Sequence, residues 1–198
     1  MITNRDKISK RFNICKRGMF TMLQLFYHLC ELKFSELMEI YIEGNKENAA
    51  DRYPNESEYQ GLLSAEQDFY QYLKECFFST PGAFYAVWME KKNYVSALRL
   101  EPYQDGLLLE ALETKPEERR KGYAAALING VLAYLREQNS VAVYSHVSKR
   151  NIPSCRTHES CGFQKILDYA VYADGSVLSD SVTYRYNFEA EQSELELY

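Results

Sequence analysis

The spacing of apolar and polar side chains along the chain predicts its first elements. Residues 23–29 alternate between the two kinds, which is typical of a strand. Over residues 34–50 the apolar positions recur at helical spacing instead, so a helix is predicted there. Ser64 and Gln67 have the spacing of a capping box, which predicts that a second helix begins at Ser64 and continues through Phe78.

The rest of the pattern predicts strands interrupted by two further helices. Short turns connect three strands, which makes them an antiparallel meander. These strands are 84–90, 94–101 and 107–114. The predicted elements that follow are a helix over 121–138, a strand over 141–148, a short helix over 151–161, and strands over 163–172 and 177–188. The order is β-α-α-β-β-β-α-β-α-β-β, without an internal repeat, and it indicates a mixed α/β fold.

The chain divides into one domain and two terminal segments. Residues 1–21 show no clear period, so we interpret them as a flexible basic arm or as the result of a start codon placed too far upstream, with Met22 as the functional start. A short helix packed on the domain is the alternative. Residues 22–188 form the single domain, and the acidic residues 189–198 are expected to be a frayed tail.

Charge is unevenly spread along the chain. The full sequence of 198 residues has 23 basic and 28 acidic side chains, a net charge of −5. Residues 1–21 carry six basic side chains against the single acid Asp6, a net of +5, so the remainder stands at −10. An acidic body repels nucleic-acid phosphates and attracts cations. We therefore expect a cationic small molecule as partner, and no nucleic acid.

Cysteine usage and hydropathy bear on the compartment. The five cysteines form no Cys-x-x-Cys pair and no cluster with histidine, so no metal site is expected. Their odd number suits free thiols in a reducing compartment. No apolar run is long enough to span a bilayer, so no membrane partner is expected. We expect a cytoplasmic protein that is a monomer or a homodimer.

A basic, glycine-containing turn lies between a predicted strand and a predicted helix. Its residues are Arg119, Arg120, Lys121, Gly122, Tyr123 and Ala124. The first N–H groups of a helix have no partner within it and carry partial positive charge, which favours a diphosphate. Gly122 lets the backbone approach such a ligand closely. The alternative is a turn glycine beside a solvated basic surface.

Two motifs together resemble the GNAT superfamily of N-acetyltransferases. Arg119-x-x-Gly122-x-Ala124 is similar to the family's [Gln/Arg]-x-x-Gly-x-[Gly/Ala] loop, and Asn151-x-x-Ser154 followed by Gly162-Phe163 resembles its second signature. The order of elements from Leu23 to Phe188 is similar as well. The resemblance implies a central mixed, mostly antiparallel sheet of about seven strands, flanked by about four helices.

The resemblance also implies acetyl-CoA as co-substrate. In the family the fourth and fifth strands splay apart, and here these are residues 107–114 and 141–148. Leu112 and Thr114 would then contact the acetyl and pantetheine groups through their backbone, or simply pack within the strand. The loop from Arg119 to Ala124 would hold the diphosphate. Asn151, with Ser154, would contact the pantetheine arm, or Asn151 would cap its helix.

Transfer to an amine needs a group that takes a proton from the nucleophile. Strand alternation places Glu110 on the same face as Leu112 and Thr114, so Glu110 is the candidate base, either directly or through water. The alternative is a rim carboxylate that binds the amine. Glu113 would point to the opposite face, and His146 is a second candidate.

The family commonly uses a tyrosine, seven residues after the signature asparagine, to protonate the leaving thiolate. His158 stands at that position here, which is a departure from the family pattern. It implies a histidine acid, another mechanism, or no acid. The alternative is a histidine at the helix surface that helps to close the end of the helix.

Three functions remain open at this point. The first is an acetyl-CoA-dependent N-acetyltransferase that modifies a primary amine of a small cationic acceptor by direct attack in a ternary complex. The second is a CoA-binding sensor or scaffold with the same fold and little catalysis, for which the missing tyrosine is the support. The third is a nucleic-acid or ribosome-associated binder acting through residues 1–21, which the acidic body disfavours.

Overall fold

The computed structural model describes residues 10–16 and 19–188, with side chains from Met22 onward. The helices in this part of the chain are α1 (Phe34–Ile40), α2 (Ile42–Arg52), α3 (Glu58–Glu75), α4 (Tyr123–Glu137) and α5 (Ile152–Ser160). The strands are β1 (Lys10–Lys16), β2 (Met19–Phe26), β3 (Phe84–Glu90), β4 (Asn93–Tyr103), β5 (Gly106–Thr114), β6 (Ala142–Ser148), β7 (Gln164–Leu167), β8 (Ala170–Val171), β9 (Val177–Leu178) and β10 (Ser181–Asn187).

Eight of these strands form one sheet in the order β1-β2-β3-β4-β5-β6-β10-β7. Neighbouring strands are antiparallel, except that β5 and β6 are parallel because α4 carries the chain from one to the other. β8 and β9 pair separately as a short hairpin. The expected mixed, mostly antiparallel sheet of the GNAT fold is thus confirmed.

Helices cover the sheet on both faces, and the alternation along β3 shows how. Phe84, Ala86 and Trp88 belong to the core that packs beneath α4, on what we term the α4 face. Tyr85 and Val87 belong to the opposite core, on the α3 face, together with Leu37 of α1 and Leu73 of α3. Because both faces are covered, β3 reads as a nearly continuous apolar run rather than as a polar–apolar alternation.

The N-terminal part of the sheet differs from the sequence prediction. Lys10–Lys16 pairs along its whole length with Met19–Leu25, where an arm without regular structure was expected. That expectation is wrong for this segment. The additional strand β1 is the reason why the sheet has eight strands instead of the expected seven. Residues 1–9, 17–18 and the predicted tail 189–198 lie outside the described residues, and the domain bounds at 22 and 188 remain predictions.

Two helix boundaries also differ from those predicted from the sequence. The helix predicted over 34–50 is two helices, because the chain leaves helical geometry at Tyr41, which has φ −91° and ψ 11°. α3 begins at Glu58 rather than Ser64, since the hydroxyl of Ser57 accepts the N–H of Gln60 at 3.3 Å and caps the helix there. Ser64 lies inside the helix, so the predicted capping box is wrong.

Candidate active site

β5 and β6 are joined at one end and open at the other. Only three residue pairs connect them, and the last is Leu109 with Ser145, although β5 continues to Thr114 and β6 to Ser148. At the closed end a Cβ on Gly106 would lie 2.1 Å from the carbonyl oxygen of Ala142, so only glycine fits there. The strands therefore diverge as the resemblance implied, and they leave backbone groups of both strands without a strand partner.

A bulge in β5 reverses its alternation just where the strands part. Ala111 has φ 50°, and the pairing with β4 shifts between Ala97 and Arg99. The hydroxyl of Tyr41 donates to the Ala111 carbonyl at 2.8 Å, which ties the bulge to the helices. Such an extra residue re-aims the side chains that follow it.

The bulge corrects the predicted position of Glu110. Leu112 packs with the α4-face core. Glu110 is opposite Arg99 and Glu113 is opposite Ala97, so both acids lie on the α3 face. The expectation that Glu110 shares a face with Leu112 is therefore wrong, whereas Glu113 does lie on the face opposite Leu112, as predicted. Simple alternation fails because the sequence gives no sign of the extra residue at Ala111.

The basic turn leads into α4, as predicted, although the helix begins at Tyr123 rather than at Lys121. Gly122 is the N-cap residue with φ 83° and offers no side chain to the helix, and Arg120 also has a positive φ of 63°. The first intrahelical bond runs from the N–H of Ala126 to the carbonyl of Gly122 at 3.0 Å. The N–H groups before Ala126 thus have no acceptor within the helix, an arrangement that can bind an anion.

A cleft of about 650 Å³ connects the open part of β5 with this turn and with α5. Most of the coenzyme-binding residues proposed from the sequence line this cleft. Those in the lining are Leu112, Thr114, Arg119, Arg120, Gly122, Tyr123, Ala124, Asn151 and Ser154. Lys121 is not in the lining and pairs with Glu118 at 2.6 Å. The sequence reasoning missed Glu43, Glu113, Ala125, Pro153 and Thr157. We call this space the main cleft.

Arg119 holds acidic side chains at the mouth of the main cleft. Its guanidinium lies 2.6 Å from Glu43 of α2 and 3.6 Å from Glu113, and its Nε donates to the Thr114 carbonyl at 3.1 Å. Burial raises the pKa of Glu113, and Arg119 opposes that rise. Glu43 was missed because α2 is remote in sequence, and no motif marks it.

α5 presents its first turn to the main cleft. The side-chain oxygen of Asn151 accepts the N–H of Ser154 at 3.1 Å, so Asn151 caps the helix, as its alternative interpretation proposed. Asn151 and Ser154 both also line the cleft, together with Pro153 and Thr157. The same cap that begins the helix therefore sets one wall of the cleft.

His158 does not line the main cleft. It is 1% exposed, its Nδ1 donates to the Ser154 carbonyl at 2.9 Å, and its ring stacks on Tyr184 with centroids 5.8 Å apart. Burial lowers the pKa of His158, and the bond to the Ser154 backbone opposes that change. Its Nε2 has no hydrogen-bond partner among the described residues. The alternative of a histidine at the helix surface is wrong, because the ring is buried.

The α3 face of the open strands carries a second polar group. Arg99 donates to one oxygen of Glu110 through Nε and Nη2, at 3.2 and 3.1 Å, and its guanidinium lies 5.0 Å from the ring centre of Tyr72. Burial opposes the charge on Arg99, while Tyr85 and Glu110 raise its pKa. Glu110 is thus a half-buried carboxylate with a fixed cationic partner, which the sequence did not predict.

Comparison with known proteins agrees with this geometry. The sequence model of the acetyltransferase (GNAT) family matches residues 37–163, which is more than half of the chain, so the chain belongs to this family. A search of curated proteins found no match.

Solved structures with the same fold include three acetyltransferases. The PaiA N-acetyltransferase from Thermoplasma acidophilum, in complex with coenzyme A, is 14% identical, with a TM-score of 0.57 over 83% of this chain and 98% of that one. The acetyltransferase (GNAT family) from Bacillus anthracis is 15% identical, with a TM-score of 0.56 over 84% and 95% of the two chains. A chimera of the Vibrio cholerae spermidine N-acetyltransferase SpeG and hSSAT is 20% identical, with a TM-score of 0.54 over 86% and 98%.

Within the part of the chain that the structure describes, no group of three or more histidine, cysteine or acidic side chains is arranged to hold a metal ion. None of the helices in this part is both long enough and apolar enough to cross a bilayer.

Proposed function

We propose that the chain is an acetyl-CoA-dependent N-acetyltransferase that modifies a primary amine of a small cationic acceptor by direct attack in a ternary complex. The observation that carries the proposal is the main cleft, which runs from the part of β5 that has no partner on β6 to the N-terminus of α4, where no side chain caps the helix. A thioester placed in this cleft would meet backbone donors at one end and an anion site at the other.

The residues at the helix start fit the diphosphate of the coenzyme. No atom lies within 4 Å of where a Cβ of Gly122 would be, so the backbone is open to a ligand at this point. The N–H groups before Ala126 supply hydrogen bonds, and Arg119 and Arg120 supply positive charge. Among the described residues Arg120 has no ion pair, whereas Arg119 must exchange Glu43 for the phosphates.

The open part of β5 fits the pantetheine arm and the acetyl group. Beyond Leu109 the backbone of β5 has no partner on β6, so an extended arm can pair with it as an added strand would. We assign Leu112 and Thr114 to these backbone contacts, with Asn151 and Ser154 on the opposite wall. A backbone N–H of β5 would also stabilise the negative oxygen that develops on the acetyl carbonyl during attack.

The acceptor would approach from the α3 face. The net charge of −5, and of −10 without residues 1–21, favours a cationic amine over an anionic partner such as nucleic acid.

We also propose that the protein works in the cytoplasm, as a monomer or a homodimer. These assignments rest on charge and cysteine usage.

One observation favours a CoA-binding sensor as the second candidate. The family's usual position for the thiolate acid holds His158, which is buried outside the main cleft. A protein of this fold without that acid would bind the coenzyme and transfer acetyl groups slowly.

An amine panel separates the two candidates. Wild-type protein and acetyl-CoA would be mixed with 1,4-diaminobutane, lysine amide, 2-phenylethylamine or no amine, and free thiol would be followed with a chromogenic disulfide. The proposal expects thiol release that depends on the amine and an acetylated product in the mass spectrum. Coenzyme binding without release for any amine would favour the sensor, and no binding at all would exclude both.

A further inference from the structure

His146 occupies a special position in the open sheet. The ladder between the two parallel strands ends at Leu109 and Ser145, so Glu110 and His146 are the first residues on either side of the opening. Side chains at adjacent positions of parallel strands point to the same face. His146 therefore lies on the α3 face with Glu110, where the acceptor would approach.

The surroundings of His146 leave both of its ring nitrogens unused. The ring is in edge contact with Tyr103, with centroids 5.5 Å apart, and lies 5.2 Å from Tyr172 of the segment that joins β8 and β9. Nδ1 and Nε2 are both buried, and neither has a hydrogen-bond partner among the described residues. Buried polar atoms in native proteins are nearly always paired, and exceptions are often explained by catalysis or by a group from outside the chain.

Glu110, the base expected from the sequence, is in the opposite situation. Arg99 donates to it twice and is itself stacked on Tyr72, so the carboxylate already has a cationic partner. An amine proton moved to Glu110 would break this ion pair. The neighbouring imidazole has no such bond to lose.

We propose that His146 is the base that accepts the proton of the acceptor amine, with Glu110 fixed beside it by Arg99. This inference rests on the proposed function. The amine nitrogen uses its electron pair to form the bond to the acetyl carbon, and the carbon–sulfur pair leaves with the thiolate of CoA. The proton lost by the nitrogen moves to the imidazole, which later releases it to water, and the thiolate takes up a proton from water.

The charged and titratable groups around His146 suit this task. Glu110 of β5, Tyr103 of β4 and Tyr172 beyond β8 face the ring. Burial lowers the pKa of His146, and the carboxylate of Glu110 opposes that change. The imidazole is therefore neutral and able to accept a proton at pH 7, and Glu110 stabilises the imidazolium once it forms. Both ring nitrogens are buried, so a neighbouring side chain must move before an amine can reach them.

The first test compares His146→Gln with His28→Gln, an exposed histidine at the end of β2. With the amine from the panel that wild type acetylates fastest, His146→Gln should lower kcat about 10²–10⁴-fold while the Kd for CoA stays within about twofold. His28→Gln should match wild type. The acid limb of the wild-type pH profile should disappear in His146→Gln, and added imidazole should partly restore His146→Ala. A His146→Gln kcat within about threefold of wild type would overturn the inference.

A second test needs no turnover and uses the wild-type protein. Nitrogen-15 spectra of the imidazole rings would be recorded for the CoA-saturated protein as 1,4-diaminobutane is added. The inference expects the ring nitrogens of His146 to shift while those of His28 do not. If an amine is acetylated and the His146 signals stay unchanged, the inference fails while the proposed function stands. If no amine in the panel is acetylated, the proposed function fails and the inference fails with it.

Discussion

At the scale of single residues, the positive φ of Ala111 matters more than any side chain around it. Because of that one residue Leu112 lies on the α4 face, although Glu110, two positions earlier, lies on the α3 face beside Arg99. The acid and the proposed thioester contacts thus lie on opposite faces of the same strand. A separation of this kind lets the acceptor and the coenzyme reach the opening from different directions.

Gly122 provides the sharpest test at this scale. Gly122→Val should remove most of the thermal stabilisation by acetyl-CoA, because a branched side chain fills the space that a diphosphate would approach. In wild type that stabilisation should be about 2.7 kcal/mol at a hundredfold excess over Kd. Gly175→Val is a matched control, since Gly175 has the same φ of 83° and equally open surroundings, but lies in the turn between β8 and β9. Melting curves with and without acetyl-CoA measure both, and an undiminished shift in folded Gly122→Val would contradict the assignment.

At the scale of elements, the buried His158 of α5 should make the stability of the fold depend on pH. The folded chain binds a proton to His158 less readily than the unfolded chain does, since burial lowers its pKa. The stability contributed by the neutral ring is therefore fully present above the unfolded pKa of about 6.5 and is lost as the pH falls below it. His158→Phe should keep the stacking on Tyr184 and lose less stability between pH 7.5 and 5.5 than wild type. Urea unfolding at the two pH values measures this, and identical losses would show that His158 does not titrate on unfolding.

The edge strand β1 makes a second prediction at this scale. A chain that begins at Lys10 keeps β1, whereas a chain that begins at Met19 leaves β2 as an unpaired edge. The first should melt within about two degrees of wild type, and the second should melt several degrees lower, since a loss of 1 kcal/mol lowers the Tm of a chain of this size by about 2–4 °C. Exposed edges also promote association, so size-exclusion chromatography should accompany the melts. Equal melting temperatures would show that β1 contributes nothing.

Features that depend on neighbouring residues could be predicted from the sequence, whereas features that depend on distant segments could not. The order of elements from β3 to α5 and the basic turn before α4 depend on local spacing and were predicted correctly, and the cap at Asn151 was one of the two interpretations that its position allowed. The bulge at Ala111 and the pairing of Arg119 with Glu43 depend on contacts between segments far apart in sequence. Neither has a local signature, and both decide how the site is charged.

At the scale of the whole molecule, the excess of acidic side chains should act over a distance. With 23 basic and 28 acidic residues the protein should draw in dications more strongly than monocations. The kcat/KM for 1,4-diaminobutane should therefore fall more steeply than that for butylamine as salt rises from about 0.05 to 0.5 M, because the screening length shortens over this range. Initial rates measured at several salt concentrations test this, and parallel slopes would mean that overall charge has no part in selecting the acceptor.

The ion pair between Arg119 and Glu43 has a consequence for the order of events. A diphosphate bound at the start of α4 competes with Glu43 for the same guanidinium, so coenzyme binding and the tether of α2 oppose each other. Such linkage is reciprocal. A change that strengthens the ion pair weakens coenzyme binding by the same factor, and bound coenzyme weakens the attachment of α2 equally. Because α2 packs on α3, which carries Tyr72 over Arg99, the loosened helix adjoins the acceptor side. We therefore expect ordered kinetics in which the coenzyme binds first and the amine second.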